Sequence, residues 1–261
     1  MPDAAERHNA TLLDQFGRQA EGYAALVRDV RGPDPVLQSL REIVGIGAGD
    51  RVLDIGCGPG HRVVGLAPLV EHATGVDLTP EMLDQARALQ AEAGVDNVTW
   101  ILADAAALPV ADGAFSLVLS QAAFHHAADP AAVLAQMRRA CAPGGHLAVN
   151  DLTPDPARSA AFDAIEILRD PSHAHALTLQ ELRDLGAALG LEEVAVRPRR
   201  TELPIEPVIA ASQPLDGMAE RVRELYARDA ASGADALGMG AVLKDGVVWA
   251  SYPMTLVIWR R

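Results

Sequence analysis

The chain has 261 residues, of which 49% are hydrophobic and 22% charged, a balance typical of a globular protein with a sizeable core. Its formal net charge of −13 argues against a nucleic-acid partner, because such proteins cluster Lys and Arg to neutralise phosphates. No apolar run approaches the roughly 18 residues of a membrane helix. The polar N-terminus predicts no signal peptide, and the two cysteines, Cys57 and Cys141, are too few for a disulfide framework, so we expect a cytoplasmic protein.

Alternating helices and strands are predicted for the first 151 residues. An amphipathic segment predicts a helix around residues 12–27, and Asp34-Pro35 provides the N-cap and first turn of a second helix that ends near Val44. Strands are predicted at residues 51–55, 73–77, 98–102, 115–120 and 146–151, with intervening helices that end near residues 70, 93 and 141. Such alternation indicates right-handed crossovers and a mostly parallel, doubly wound sheet.

The pattern changes after Asp151. Asp155-Pro156 is predicted to cap a helix, and Thr178 with Glu181 forms a capping box for another. A strand is predicted at residues 191–199 and a helical stretch at residues 222–228. The end of the chain predicts a hairpin turned at Asp245-Gly246. We expect this half to complete the sheet and to cover a pocket.

The most informative motif is the glycine-rich segment at residues 52–60, Val-Leu-Asp-Ile-Gly-Cys-Gly-Pro-Gly. A glycine turn between the first strand and its helix lets a ligand approach the backbone, because no Cβ intrudes. The dinucleotide fingerprint would need glycine or alanine at position 61, where this chain has His61. Asp54, just before the glycines, would repel a pyrophosphate but suits a ligand that carries an ammonium and a sulfonium.

Two further carboxylates follow later strands. Asp77 ends the second strand, from which a carboxylate can accept hydrogen bonds from both hydroxyls of a ribose. Asp104 follows the third strand, where it can accept an adenine amino group while the backbone of Ala105 meets the ring. Each residue also has a purely structural interpretation, as a brace, a turn residue or a cap. Their joint occurrence in this order favours a nucleoside ligand.

Four segments carry a specific resemblance: VLDIGCGPG, GVDLTPEML, DAAALPVADGAFSLVLS and CAPGGHLAVND. They resemble the sequence blocks of class I S-adenosylmethionine methyltransferases over about residues 40–151. Within that class the chain is similar to the ubiquinone/menaquinone C-methyltransferase-like branch, also called methyltransferase type 11. FGRQAEGYA looks like the branch's N-terminal lid helix, while LRDPSHAH and the closing hairpin resemble a bacterial subgroup.

The resemblance implies an α/β fold with a doubly wound, mostly parallel, seven-stranded Rossmann-like sheet, an antiparallel C-terminal hairpin strand and a helical lid. We expect one domain over residues 1–261, with residues 1–45 as the lid, 46–151 as the cofactor-binding core and 152–261 as the substrate-pocket cap. The implied cofactor is S-adenosyl-L-methionine, with S-adenosyl-L-homocysteine as product. Its binding residues would be Tyr23, Asp54, Gly56, Cys57, Gly58, Asp77, Leu78, Met82, Asp104, Ala105 and Gln121.

Methyl transfer requires alignment of the nucleophile and exclusion of water, and a base only where the nucleophile must lose a proton. His126 and His173 are our candidates for contact with the acceptor. His125 and His126 follow the fourth strand, where packing under the loop would also explain them, and His173 and His175 could belong to a surface loop. The spacing of the histidines does not match a metal site.

The expected activity is methyl transfer to a carbon, oxygen or nitrogen atom of a small molecule, in secondary or quinone-type metabolism. A second hypothesis keeps the fold and the cofactor but transfers no methyl group, as in a cyclase, a pericyclase or a non-catalytic binding protein. An NAD-dependent oxidoreductase is the third, and both His61 and Asp54 argue against it. The oligomeric state is not predicted.

Overall fold

The computed structural model describes residues 4–29 and 34–261, whose strands form an eight-stranded sheet. The strands are β1 Arg51–Ile55, β2 His72–Asp77, β3 Val98–Leu102, β4 Phe115–Gln121, β5 Cys141–Leu152, β6 Glu192–Pro204, β7 Val242–Lys244 and β8 Val247–Arg260. The α-helices are α1 Ala4–Asp29, α2 Pro35–Ser39, α3 His61–Leu66, α4 Pro80–Ala93, α5 Pro130–Ala140, α6 Ser159–Arg169, α7 Leu179–Ala188, α8 Ile205–Ser212 and α9 Met218–Ser232.

The sheet follows the order β3-β2-β1-β4-β5-β8-β6, with β7 paired to β8. The first five strands in this order are parallel, while β8 is antiparallel to β5, β6 and β7. The predicted fold class is therefore confirmed, and the short β7 of the hairpin adds an eighth strand. The order reverses between β1 and β4, and in open α/β sheets ligands bind beside such a reversal at the carboxyl ends of the strands.

Helices cover both faces of the parallel sheet, so β1, β2 and β4 are buried almost throughout, whereas β3 at the sheet edge is only partly buried. One face packs Leu134 and Met137 of α5 against the sheet, and the other packs Leu83 of α4 and Leu66 of α3. A third cluster joins α6, α8 and α9 to the end of the β6–β8 pair. This third cluster holds the C-terminal half against the carboxyl edge of the sheet.

Local signals in the sequence locate several helix ends correctly. Asp34 accepts hydrogen bonds from the backbone N–H groups of Val36 and Leu37, as an N-cap does, and α2 continues as a π-helical turn over Leu40–Val44. Thr178 and Glu181 form the predicted capping box of α7. The hairpin turns at Asp245-Gly246, where both residues have positive φ.

One expectation for the C-terminal half is wrong, and one helix was missed. The helix expected at Asp155-Pro156 begins only at Ser159, because the Asp155 side chain accepts the N–H of Ala157 and closes a turn there. Helix α8 was not predicted, although its buried Ile205, Val208 and Ile209 pack into the third cluster. Its sequence contains a proline in the first turn, where the missing N–H costs nothing.

Within the described residues, no helix combines the length and the apolar character that crossing a membrane requires.

Candidate functional site

A cavity of about 900 Å³ lies at the carboxyl ends of β1, β2, β4 and β5, under helix α1. All eleven residues that the family resemblance implied for the cofactor line it: Tyr23, Asp54, Gly56, Cys57, Gly58, Asp77, Leu78, Met82, Asp104, Ala105 and Gln121. His126 lines it as well, whereas His173 lies behind its wall. The volume is within the usual range for a small-molecule site.

The glycine loop takes backbone conformations that other residues rarely adopt. Gly56 has φ of 68°, and a Cβ at this position would lie 2.5 Å from the Cβ of Ala123 on the loop after β4. The backbone N–H groups of Gly56 and Cys57 both donate to the carbonyl of Val76, at 2.8 and 3.0 Å. The loop is therefore fixed between β2 and the loop after β4, with its backbone toward the cavity.

Asp77 braces this loop while it faces the cavity. Its Oδ2 accepts the N–H of Gly58 at 2.7 Å and its Oδ1 accepts the N–H of Thr79 at 2.9 Å. Burial raises the pKa of this carboxyl above its ordinary value, against the opposing effect of those hydrogen bonds. Each oxygen retains a second lone pair, so the carboxylate can still accept one hydroxyl group on each side.

Asp54 is buried with no partner for its Oδ1 within the described residues. Burial raises its pKa to about 7, although the nearby Arg62 acts in the opposite direction. Arg62 donates to Asp34 Oδ2 at 2.7 Å and also donates to Gln121 Oε1. An acidic and a basic group thus lie beside the glycine loop, and they match the ammonium and the carboxylate of an α-amino acid.

The remaining predicted nucleoside contact, Asp104, is already engaged by the N-terminal helix. Its Oδ1 accepts the N–H of Ala106 and its Oδ2 accepts the side chain of Asn9 on α1, both at 2.8 Å. Farther along α1, the side-chain amides of Gln15 and Gln19 donate to the carbonyl of Ser212 on α8. Helix α1 therefore covers the cavity and is held by polar contacts near its start and in its middle.

The other end of the cavity is built around two adjacent histidines. His125 Nδ1 lies 2.6 Å from Asp151 Oδ1, and both residues are buried. Asp151 also accepts the N–H groups of Ala123 and Phe124, which fixes its orientation. Burial acts to lower the pKa of His125, but the adjacent Asp151 carboxylate raises it above the ordinary value. His125 is therefore the more basic ring.

His126 has the opposite character. Burial, together with the charge of His125, lowers its pKa to about 3, so the ring is neutral at physiological pH. Its Nδ1 donates to the carbonyl of Ser172 at 3.0 Å, and the edge of Phe16 packs on it with 4.8 Å between ring centroids. His126 thus lines the cavity as a packed, neutral ring.

Three groups in or beside the cavity escaped the sequence interpretation. Asp151 is the penultimate residue of β5, beside the end of β4, so the rule that singled out Asp77 at the end of β2 could have found it. Arg62 immediately follows the glycine loop, which is a recognisable position. The buried Glu166–Arg169 pair on α6, 2.5 Å apart, lines the far end of the cavity, and no local signal distinguishes it from a surface pair.

Comparison with known proteins agrees with this geometry. Residues 53–149 match the family described as "Methyltransferase domain". Over 140 residues the chain is 34% identical to the uncharacterized methyltransferase YcgJ of Bacillus subtilis, which corresponds to 53% of this chain and 55% of YcgJ. It is 38% identical over 114 residues to the 27-O-demethylrifamycin SV methyltransferase of Amycolatopsis mediterranei, 42% of each chain. The chain thus spans about half the length of these relatives.

Solved structures share the fold. The crystal structure of YcgJ superposes with a TM-score of 0.78 at 23% identity, covering 86% of this chain and 97% of YcgJ. The [4+2]-cyclase SpnF superposes with a TM-score of 0.57 at 19% identity, covering 87% and 80% of the two chains. At these identities the likeness concerns the fold alone, and it extends well beyond the matched domain into the C-terminal half.

Proposed function

We propose that this chain transfers a methyl group from S-adenosylmethionine to a small-molecule acceptor, because residues 53–149 match the family described as "Methyltransferase domain". The observation that carries the proposal is the buried Asp54, whose Oδ1 has no partner within the described residues and which lies near Arg62 beside the glycine loop. An unpartnered buried carboxylate is costly, so its presence points to a cationic ligand group.

The residues of the cavity fit the cofactor group by group. Asp54 would hold the ammonium, Arg62 the carboxylate, Asp77 the ribose hydroxyls and Asp104 the adenine amino group. The cofactor supplies a methyl group activated on a sulfonium. Arg62 is already oriented by Asp34 and Gln121, so little side-chain entropy would be lost on binding. The protein's contribution is then to align the acceptor and to exclude water.

The acceptor would occupy the end of the cavity that the C-terminal half provides. Leu203 of β6, Val208 of α8 and Met254 of β8 supply apolar surface there, and Arg169 and Arg199 supply polar groups. Arg199 donates to Asn150 Oδ1 at 2.5 Å. The mixed lining suits a small molecule with an apolar body and a few polar substituents. A quinone-type acceptor stays a prediction of the resemblance alone.

For an acceptor that must lose a proton, His125 is the base that the geometry favours over His126 and His173. Asp151 accepts the Nδ1–H of His125, which leaves Nε2 with the lone pair that takes the proton. His126 is a poor proton acceptor because its pKa is about 3. His173 does not reach the cavity.

Two measurements test the proposal. S-adenosylhomocysteine should raise the melting temperature, since saturation at 100 times the dissociation constant adds about 2.7 kcal/mol. Incubation of the protein with a cell extract and labelled cofactor should yield S-adenosylhomocysteine together with a product heavier than its acceptor by a methylene group. A melting curve unchanged at millimolar ligand would contradict cofactor binding. Binding without release of S-adenosylhomocysteine in any extract would favour the cyclase or non-catalytic alternative.

A further inference from the structure

Behind the cavity wall, hydrogen bonds connect a buried histidine to the protein surface. His173 has a fully buried side chain, and its Nε2 lies 2.7 Å from Asp163 Oδ1. The other oxygen of Asp163 lies 2.6 Å from Nδ1 of His175, whose side chain is 42% exposed. Because a carboxylate only accepts hydrogen bonds, both rings must donate to it. A continuous row of hydrogen bonds therefore runs from the interior to solvent.

The inner end of this row lies against the cavity histidines. The ring centroid of His173 is 5.5 Å from that of His125 and 6.4 Å from that of His126. Its Nδ1 is buried and has no hydrogen-bond partner within the described residues. Since Nε2 donates to Asp163, Nδ1 is the nitrogen of this ring that can accept a proton. An unused proton-accepting atom thus lies beside the His125 ring.

Backbone hydrogen bonds fix the segment of His173 and His175 relative to His125 and Asp163. The N–H groups of Ala174 and His175 both donate to the carbonyl of His125, at 2.8 and 3.1 Å. The N–H of Ala176 donates to Asp163 Oδ1 at 2.9 Å. The segment that carries His173 and His175 is therefore tied to the loop of His125 on one side and to α6 on the other.

A base as buried as His125 needs such a connection. Only 7% of the His125 side chain is exposed, and the buried Gln15 and Gln19 fix α1 over the site. A base in this position can act in successive turnovers only if its proton leaves. We propose that His173, Asp163 and His175 carry the proton that His125 takes from the acceptor out to solvent, an inference that rests on the proposed function for its source of protons.

The proton balance along the row is complete. The proton on Nε2 of His125 passes through one bridging water molecule to Nδ1 of His173, whose ring centroid lies 5.5 Å from that of His125. His173 then gives its Nε2 proton to Asp163. The exposed His175 exchanges its Nδ1 proton for one on Nε2 through solvent, so its Nδ1 can accept the proton of Asp163, and His175 then releases its Nε2 proton to water. One proton leaves the cavity, His175 is again the Nδ1–H donor to Asp163, and a return of the His173 proton from Nδ1 to Nε2 restores the starting state.

The charges around the row suit this transfer. The His125 end faces Asp151, and the outer end faces Glu181, whose Oε1 is 3.4 Å from His175 Nε2. Burial acts to raise the pKa of Asp163, but the hydrogen bond from His173 holds it below the ordinary value. Burial acts to lower the pKa of His175, but its hydrogen bond to Asp163 raises it. The carboxylate is thus ionised at rest and accepts hydrogen bonds from both rings.

The experiment measures how fast His125 exchanges its proton with solvent. Protein with isotope-labelled histidine, saturated with S-adenosylhomocysteine, is titrated by NMR, and the His125 signal is assigned by its loss in His125→Gln. The exchange rate between the charged and neutral ring follows from the line shape near the pKa. We expect Asp163→Asn and His175→Gln to slow this exchange at least tenfold, because neither side chain can then relay a proton. A merely structural role would not change this rate.

His72→Gln is the matched control. His72 is a partly exposed histidine at the start of β2, so it lies at the amino ends of the parallel strands, away from the cavity at their carboxyl ends. The His72→Gln variant should leave the exchange rate of His125 unchanged. A His125 exchange rate in His175→Gln equal to that of the wild type would overturn the proposal. Because His175 is partly exposed, this variant provides the test even if Asp163→Asn does not fold. The proposed function fails separately, through the absence of a melting-temperature shift with S-adenosylhomocysteine. In that case the exchange can still be measured in the ligand-free protein.

Discussion

The two ends of the cavity are constructed differently. At the glycine-loop end, Asp54, Gly56 and Gly58 come from one segment, and Asp77 ends the neighbouring parallel strand. At the histidine end, the buried pair joins His125 after β4 to Asp151 at the end of β5, and His173 comes from the segment after α6. The first end depends on backbone conformation and isolated carboxylates, and the second on pairs of side chains far apart in sequence. We therefore expect substitutions at the two ends to fail in different ways.

The largest effect is expected from Asp54→Asn, which should raise the free energy of unfolding and weaken the binding of S-adenosylhomocysteine. The folded-state pKa of Asp54, about 7, lies above the ordinary value of 3.8, so ionisation destabilises the ligand-free protein increasingly as the pH rises from about 4 to about 7. At pH 8 the free energy of unfolding of the variant should exceed that of the wild type by up to about 4 kcal/mol, and at pH 4 this difference should vanish. Urea unfolding across this pH range measures it.

The same substitution should weaken binding of S-adenosylhomocysteine, because the ammonium loses its charged partner. Asp84→Asn removes an exposed carboxylate on α4 and should change neither quantity. Equal unfolding free energies of wild type and Asp54→Asn at pH 8 would show that the ionised Asp54 carboxylate does not destabilise the ligand-free protein.

Gly56→Ala should give the next largest effect. It places a Cβ 2.5 Å from that of Ala123 in a backbone conformation with positive φ, so we expect a loss of about 2–4 kcal/mol in unfolding free energy and no measurable binding of S-adenosylhomocysteine. Gly94→Ala is a matched control, since Gly94 has a similar φ of 66° and no atom within 4 Å of its Cβ position. The control should lose only about 1–2 kcal/mol. Similar losses in both variants would mean that the loop can move away from Ala123.

Asp77→Ala should weaken binding of S-adenosylhomocysteine by about 1.5–3 kcal/mol, or roughly 10- to 150-fold, because two ribose hydroxyls lose a charged acceptor. Its hydrogen bonds to the N–H groups of Gly58 and Thr79 would also be lost, so the loop should become less ordered. Titration calorimetry measures the affinity. An affinity within a factor of two of wild type would place the ribose elsewhere.

The smallest effect is expected for Asn9→Ala on α1. Its side chain donates to Asp104 Oδ2, the group that the adenine amino group is expected to reach. Removing the amide frees this oxygen, so S-adenosylhomocysteine should bind slightly tighter, by less than about 0.5 kcal/mol, since one partly exposed hydrogen bond contributes little net free energy. The same calorimetric titration tests this. A loss of more than tenfold would mean that Asn9 orients Asp104 for the ligand.

Much of the cofactor end could be predicted from sequence because its determinants are local. The glycine run, the carboxylates placed within or just after the strands and the caps at Asp34 and Thr178 each depend on a few neighbouring residues. Parallel strands then bring their carboxyl ends to one edge without further information. For this reason Asp54, Gly56, Gly58, Asp77 and Asp104 line one cavity.

Only the tertiary structure decided the chemistry of the histidines. Their spacing in the sequence is the same whether they line a cavity, pack or carry a proton. The contact with Asp151 makes His125 basic, burial beside a charged ring makes His126 neutral, and the contact with Asp163 directs His173 away from the cavity. A histidine's pKa depends on the charges and solvent within a few ångströms. Here those charges come from β5 and α6, which the sequence separates from the histidines but the fold packs beside them.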